Sequence, residues 1–236
     1  MLEIRNLTKK YKGGKVAVDN LSLTVEAGDI FAFIGHNGAG KSTTIKSVVG
    51  ILEFDSGDIF IDGHSVKDEP MACKKDIAYI PDNPDIYDHL TGIQYLNFIG
   101  DVFCVDSATR TAKIDDYATR FDIKKNLGDM VGSYSHGMKQ KLVLISALMH
   151  SPKLLVMDEP FVGLDPKASF EVKNIMRELC KEGAAIFFST HVLEVAEKLC
   201  NKVAIIKDGK LVVCGDTETV VGSGSLESVF LKSEEV

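Results

Sequence analysis

Apolar and polar residues alternate in two short stretches near the start of the chain, Leu2-Glu3-Ile4-Arg5 and Leu21-Ser22-Leu23-Thr24-Val25. Period-two patterns closed by turn formers predict strands with one buried face. Asp29–Ile34 differs, because Ile30-Phe31-Ala32-Phe33-Ile34 is continuously apolar, as a strand covered on both faces would be. Gly35–Gly40 breaks that run, and from Lys41 to Leu52 apolar residues recur at helical spacing. The local order is strand, glycine loop, helix.

Between about residues 83 and 150 the pattern becomes helical. Leu90–Phe103, Ala108–Phe121 and Ser135–Met149 predict helices joined by Asp-rich and Gly-rich segments, an inserted helical lobe. Strand and helix then alternate: strand at Lys153–Met157, helix at Pro166–Lys181, strand at Ala184–Ser189, helix at Val192–Leu199. Lys202–Lys207 and Lys210–Val213 flank Asp208-Gly209, a hairpin signal. The expected fold is α/β: a core with a mostly parallel sheet, an N-terminal antiparallel β subdomain and the inserted α-helical subdomain. Residues 1–220 are expected to form this domain. Gly222-Ser223-Gly224-Ser225 is expected to open a short flexible acidic tail over 221–236. No internal repeat or heptad array interrupts the chain.

Charge narrows the partners. Lys and Arg total 27 against 34 Asp and Glu, a net charge of −7, and no run of five basic residues occurs. A duplex-DNA footprint needs a concentrated basic face, so nucleic acid is not an expected partner. The five cysteines are scattered without a C-x-x-C pair, which argues against a disulfide framework or zinc site. They read as small buried apolar residues in a reducing compartment. Met1-Leu2-Glu3-Ile4-Arg5 lacks the basic-then-apolar order of a signal peptide. The longest plainly apolar stretch, Leu142–Met149, is too short to span a bilayer. Work at a membrane would therefore need a second chain to supply the spans.

The chemistry starts at Gly35-His36-Asn37-Gly38-Ala39-Gly40-Lys41-Ser42-Thr43, which fits G-x-x-x-x-G-K-[ST]. Glycines let successive backbone N–H groups turn inward around phosphates, and the following helix points its positive end at them. Lys41 neutralises the β- and γ-phosphates of a nucleoside triphosphate, and the Ser42 hydroxyl is a ligand for Mg²⁺. Downstream, the buried-strand pattern Leu154-Leu155-Val156-Met157 ends in Asp158 and Glu159. Parallel sheets present ligand sites at the C-terminal ends of their strands, so both carboxylates are expected beside the phosphate loop. Asp158 is suited to hold Mg²⁺ through its water shell, and Glu159 to orient or deprotonate the attacking water.

Three further segments carry a family resemblance. Tyr134-Ser135-His136-Gly137-Met138-Lys139-Gln140 resembles the signature motif of ABC-transporter ATPase subunits. Phe161-Val162-Gly163-Leu164-Asp165 looks like that family's D-loop, and His191 looks like its switch histidine. Tyr11 sits where the family stacks an aromatic ring on adenine. The resemblance covers roughly residues 1–215, with the motifs in the family's order. It implies ATP with Mg²⁺, and a head-to-tail dimer with a second ATPase subunit, identical or related. Each ATP would lie between one subunit's phosphate loop and the other's Ser135, His136, Gly137 and Met138. His191 would touch the γ-phosphate in cis, and Asp165 would couple the two sites. It also implies a separate transmembrane permease, with this subunit peripheral on the cytoplasmic face of the membrane.

Two departures from the family pattern matter. Met138 stands where the signature usually has Gln, with Lys139 or Gln140 as candidates to replace its contact. Asp82, in Tyr79-Ile80-Pro81-Asp82, stands where the family has Gln; a carboxylate there can face Mg²⁺ or the attacking water. Asp82 with Ile86-Tyr87-Asp88-His89-Leu90-Thr91-Gly92 is similar to the drug and antibiotic exporter branch, which implies export. Tyr95, Phe98 and Phe103 are either the helical lobe's own core or the lining of a groove for a permease helix. A soluble ABC-type ATPase of a cytosolic assembly scaffold would use the same nucleotide residues, so both functions remain open at this point.

Overall fold

A computed structural model describes residues 1–235. In chain order its elements are β1 (Leu2–Lys10), β2 (Val16–Val25), β3 (Ile30–Ile34), α1 (Lys41–Val48), β4 (Ser56–Ile61), β5 (His64–Ser65), α2 (Pro70–Asp76) and β6 (Ile77–Ile80). Then come α3 (Gly92–Val102), α4 (Ser107–Arg120), α5 (His136–Leu148), β7 (Leu154–Asp158), α6 (Pro166–Lys181), β8 (Ala185–Thr190) and α7 (Leu193–Leu199). The last are β9 (Lys202–Lys207), β10 (Lys210–Asp216), α8 (Thr217–Val221) and α9 (Leu226–Glu235).

Two sheets form. The smaller is antiparallel in the order β2-β1-β4-β5. The larger runs β10-β9-β3-β8-β7-β6, parallel throughout except for the antiparallel edge strand β10. Strands β3, β7 and β8 are buried along their whole length, as the apolar runs Ile30–Ile34, Leu154–Met157 and Ala185–Phe188 within them require. One core fills the space around α1 between the sheets, with Leu2, Ile4, Phe31, Ile45 and Phe187. The other lies on the opposite face, where Ala32, Ile34 and Phe188 meet α5 and α6. Helices α3, α4 and α5 form the lobe inserted between β6 and β7. Arg120 at the end of α4 ties it to α6 through Glu171, at 2.5 Å, and Glu178, at 2.9 Å.

The structure corrects two expectations and adds elements to the pattern. The segment read as a flexible tail contains α9, whose Leu226 and Phe230 are buried in the core. Leu226 N–H donates to Glu197 on α7, and Gly222–Ser225 is a turn rather than a tether. The tail's last residue, Val236, lies outside the described residues. Cys104 and Cys214 are exposed and only Cys73 and Cys200 are buried, so the cysteines are not uniformly core residues. Finally, β4, β5, α2 and β6 are additional elements between residues 56 and 80 that the sequence pattern did not resolve.

Candidate functional site

Strand register assembles the site. Ile80 pairs with Met157, Asp158 with Ser189, and Ile34 with Thr190, so four neighbouring parallel strands end level. The residues that follow those ends are Pro81-Asp82, Glu159, His191 and Gly35. Groups far apart in sequence thus meet at one sheet edge, where parallel sheets bind ligands.

The glycine loop turns from β3 into α1. Gly40 has φ 113°, and a Cβ there would sit 2.4 Å from the Ala17 carbonyl oxygen, so only glycine fits. Lys41 is 6% exposed and folds over its own loop. Its Nζ donates to the Gly35 carbonyl at 2.6 Å and the His36 carbonyl at 3.2 Å, and lies 3.7 Å from Glu159 Oε1. His36, Asn37, Gly38 and Ser42 are exposed, while Gly35 and Ala39 are buried beneath them. Phe230 of α9 packs its ring 4.8 Å from that of His36, so the C-terminal helix reaches the loop. The Tyr11 hydroxyl lies 3.3 Å from Thr43 Oγ1, and the half-exposed ring has the Lys9 ammonium 5.7 Å from its centre. Tyr11, Lys41, Ser42, Asp82, Asp158 and Glu159 all line one cleft of about 270 Å³.

Within the cleft the carboxylates are in different states of engagement. Asp158 is 2% exposed and accepts a hydrogen bond from Ser189 Oγ at 2.5 Å. Glu159 has a left-handed backbone, φ 48°, and its N–H donates to the same Ser189 oxygen at 3.0 Å. Its Oε2 lies 3.0 Å from His191 Nδ1, and its buried Oε1 has no hydrogen-bond partner. The carboxylate is thus held between the Lys41 ammonium on one side and the His191 imidazole on the other. Asp82 is exposed at the rim, accepting from Asn83 N–H at 2.8 Å. Burial, and then the Asp158 and Asp82 carboxylates, push the Tyr79 phenol well above its usual pKa, so it stays protonated beside them.

These donors suit Mg²⁺. The Ser42 hydroxyl and the Asp82 and Asp158 carboxylates are hard oxygen ligands around one cleft, and the orphaned Glu159 Oε1 adds an unmet acceptor. Among the described residues no cluster of three or more His, Cys, Asp or Glu could hold a metal alone. That matches an ion held by one or two carboxylates together with substrate phosphates.

The remaining predicted residues lie elsewhere. Ser135 caps α5, its Oγ accepting from Met138 N–H at 3.3 Å. Neither Ser135, His136, Gly137 nor Met138 lines the phosphate-loop cleft. Ser135 and His136 are exposed; Gly137 and Met138 are half-buried. Gly163, with φ 80°, packs so close to His136 that a Cβ on it would sit 2.5 Å from the ring. Asp165 caps α6 through Ala168 N–H at 2.8 Å and pairs with Lys141 Nζ on α5 at 2.7 Å. Signature and D-loop are therefore joined within one chain. Lys139 is engaged by Asp88 at 2.6 Å, and Gln140 is fully buried. No motif marks Ser189 or Lys141, because each contacts its carboxylate partner across a long stretch of sequence.

The sequence profile of the ABC transporter family matches residues 18–162, more than half of the chain. The chain belongs to the ABC transporter family. It is an ATP-binding subunit of an ABC transporter, on a P-loop fold with an antiparallel N-terminal subdomain. It is 38% identical over 213 residues to the uncharacterized ABC transporter ATP-binding protein YhcH of Bacillus subtilis, covering 90% of this chain and 68% of that protein. Linearmycin resistance ATP-binding protein LnrL of Bacillus subtilis is 33% identical over 218 residues, covering 91% of this chain and 69% of LnrL. A solved structure of an ATP-binding subunit of an ABC transporter superposes with TM-score 0.95 at 31% identity, covering 99% of both chains. CbiO1 of Clostridium perfringens, part of the ABC transporter complex cbiONQ, superposes with TM-score 0.78 at 25% identity, covering 93% of this chain and 89% of CbiO1. Among the described residues no helix of this ABC subunit is long and apolar enough to cross a membrane.

Proposed function

We propose that this subunit hydrolyses ATP with Mg²⁺ at sites shared between two ATPase subunits, and so drives export through a separate permease. The observation that carries the reading is a separation. The phosphate loop, Asp158 and Glu159 share one cleft, while Ser135 and Gly137 stand outside it at the start of α5. Each chain then supplies two half-sites, and a head-to-tail pair completes both.

In this reading Tyr11 stacks on adenine, the loop N–H groups and Lys41 hold the phosphates, and Ser135 with the Gly137 N–H meets the γ-phosphate from the second subunit. Ser42, Asp82 and Asp158 would hold Mg²⁺, which would supply charge neutralisation to the phosphates. Glu159 takes the proton of the attacking water, and His191 orients that carboxylate and the γ-phosphate. Asp165 couples the two sites by way of Lys141.

A groove of about 770 Å³ supports the permease contact. It is lined by Tyr95 of α3 and Phe103 just after it, by Pro84 and Ile86 after Asp82, and by Tyr79. Phe98 is not part of it; that ring packs against Tyr87 at 5.6 Å. An apolar groove that begins beside Asp82 is suited to a helix from a membrane partner on the cytoplasmic face. The lean to export is supported by similarity to a linearmycin resistance protein.

Glu159→Gln tests the shared site. It is expected to bind ATP and Mg²⁺ and run as a dimer in light scattering, because closure is kept and hydrolysis lost. A variant that stays monomeric with ATP and Mg²⁺ overturns the composite site. Co-purification with a multispanning protein from detergent-solubilised membranes supports the permease partner, and a soluble complex that survives without detergent supports an assembly scaffold instead.

A further inference from the structure

Ser189 is a polar residue in a strand that is otherwise packed as core. All six residues of β8 are buried, and Ser189 is 0% exposed between Phe188 and Thr190. A hydroxyl in such a place needs partners, and Ser189 has two from the cleft. It pairs in register with Asp158 on β7.

Its oxygen accepts from Glu159 N–H at 3.0 Å, so its single proton goes to Asp158 Oδ1, 2.5 Å away. Both hydrogen bonds are directed. The first anchors the left-handed backbone of Glu159, a conformation that costs a non-glycine residue energy unless it is held. The second engages one oxygen of Asp158 and leaves the other for the cleft. The terminal torsion of an aspartate is otherwise broad and two-fold.

We infer that Ser189 is a positioning residue that sets both acidic side chains of the nucleotide site. It fixes which Asp158 oxygen faces the divalent ion, and it holds the turn that aims Glu159 between Lys41 and His191. This rests on the metal and carboxylate roles proposed above. Ser189 touches neither nucleotide nor ion itself.

The test is a Mn²⁺ titration of the ADP complex followed by electron paramagnetic resonance, which reads ion retention without turnover. Ser189→Ala is expected to weaken Mn²⁺ affinity by about 10–100-fold, the usual effect of removing a group that orients a metal ligand. ADP affinity measured in EDTA should be unchanged, and Ser189→Thr, which keeps the hydroxyl, should restore Mn²⁺ binding. Asp158→Asn is the control. Normal Mn²⁺ affinity in Ser189→Ala with weak affinity in Asp158→Asn overturns the inference and leaves the proposed function standing. Normal affinity in both overturns the metal role of Asp158 and this inference with it. An equal loss of Mn²⁺ and of metal-free ADP binding, not repaired by Ser189→Thr, assigns Ser189 to packing alone and overturns the inference. Should Ser189→Ala fail to fold, Ser189→Cys, of similar size and a poor donor, is read by the same titration.

Discussion

His191 Nδ1 lies 3.0 Å from Glu159 Oε2, joining an exposed imidazole on the loop after β8 to a largely buried carboxylate after β7. The pairing leaves the other imidazole nitrogen free of Glu159 and fixes the direction of both side chains. His191→Ala should therefore lower ATP turnover by roughly 10²-fold or more, the scale of a lost acid–base or orienting contact. ATP affinity, which depends on the loop and Lys41, should change little. Steady-state hydrolysis together with equilibrium nucleotide binding checks the split.

Asp82 is exposed at the rim of the cleft and accepts a hydrogen bond from its neighbour Asn83 N–H. Its side chain is thus available to Mg²⁺ or to water. Asp82→Ala is expected to depress Mg²⁺-dependent turnover far more than nucleotide binding. A parallel loss of both, measured by hydrolysis and by binding with and without Mg²⁺, would remove the assigned role.

Asp165 should leave a trace in acid stability. The Lys141 ammonium, and then Ala168 N–H, hold its carboxyl below the usual range. A carboxyl with a depressed folded-state pKa binds fewer protons folded than unfolded. Its contribution is therefore complete above the unfolded value of about 4 and is lost as pH falls through the lower folded value. Asp165→Asn keeps a capping oxygen and removes the charge. Thermal melts should show the variant less stable than the wild type at neutral pH, with the gap closing below about pH 4. The side chain is half-exposed, so solvent screening keeps the gap small.

Gly163 answers to two constraints at once, a positive φ and the His136 ring against its α-carbon. Gly163→Ala should cost about 1–2 kcal/mol for the left-handed backbone alone, and more for the clash. Adding His136→Ala removes the steric part only. The double variant should recover some stability in denaturant unfolding but not all of it, with non-additivity that reports the contact.

Much of this architecture can be read from residue patterns. Ile30–Ile34 is legible because an apolar run between Asp29 and Gly35 has no other soluble use, and all five residues are buried. Helix α6 is legible at both ends, because Asp165 and Pro166 start it and Gly183 follows it. Helix α9 is hidden in the sequence because Gly222-Ser223-Gly224-Ser225 before it has the composition of a tether. The buried pair Leu226 and Phe230, four residues apart on one helical face, was the signal against that reading. Of the site, the loop and both carboxylates are local motifs and so visible. Ser189 and Lys141 are not, since register between β7 and β8, and the crossing of α5 with the start of α6, decide what they touch.

Lys41 is occupied before any nucleotide arrives. Its ammonium already donates to two carbonyl oxygens of its own loop and lies near Glu159. An arriving triphosphate competes with a tethered rival rather than meeting a bare cation. A measured dissociation constant at this loop is then the difference between two occupants, one covalently attached. Changes that loosen the lysine from Gly35 and His36 would tighten nucleotide binding without adding any contact to the nucleotide.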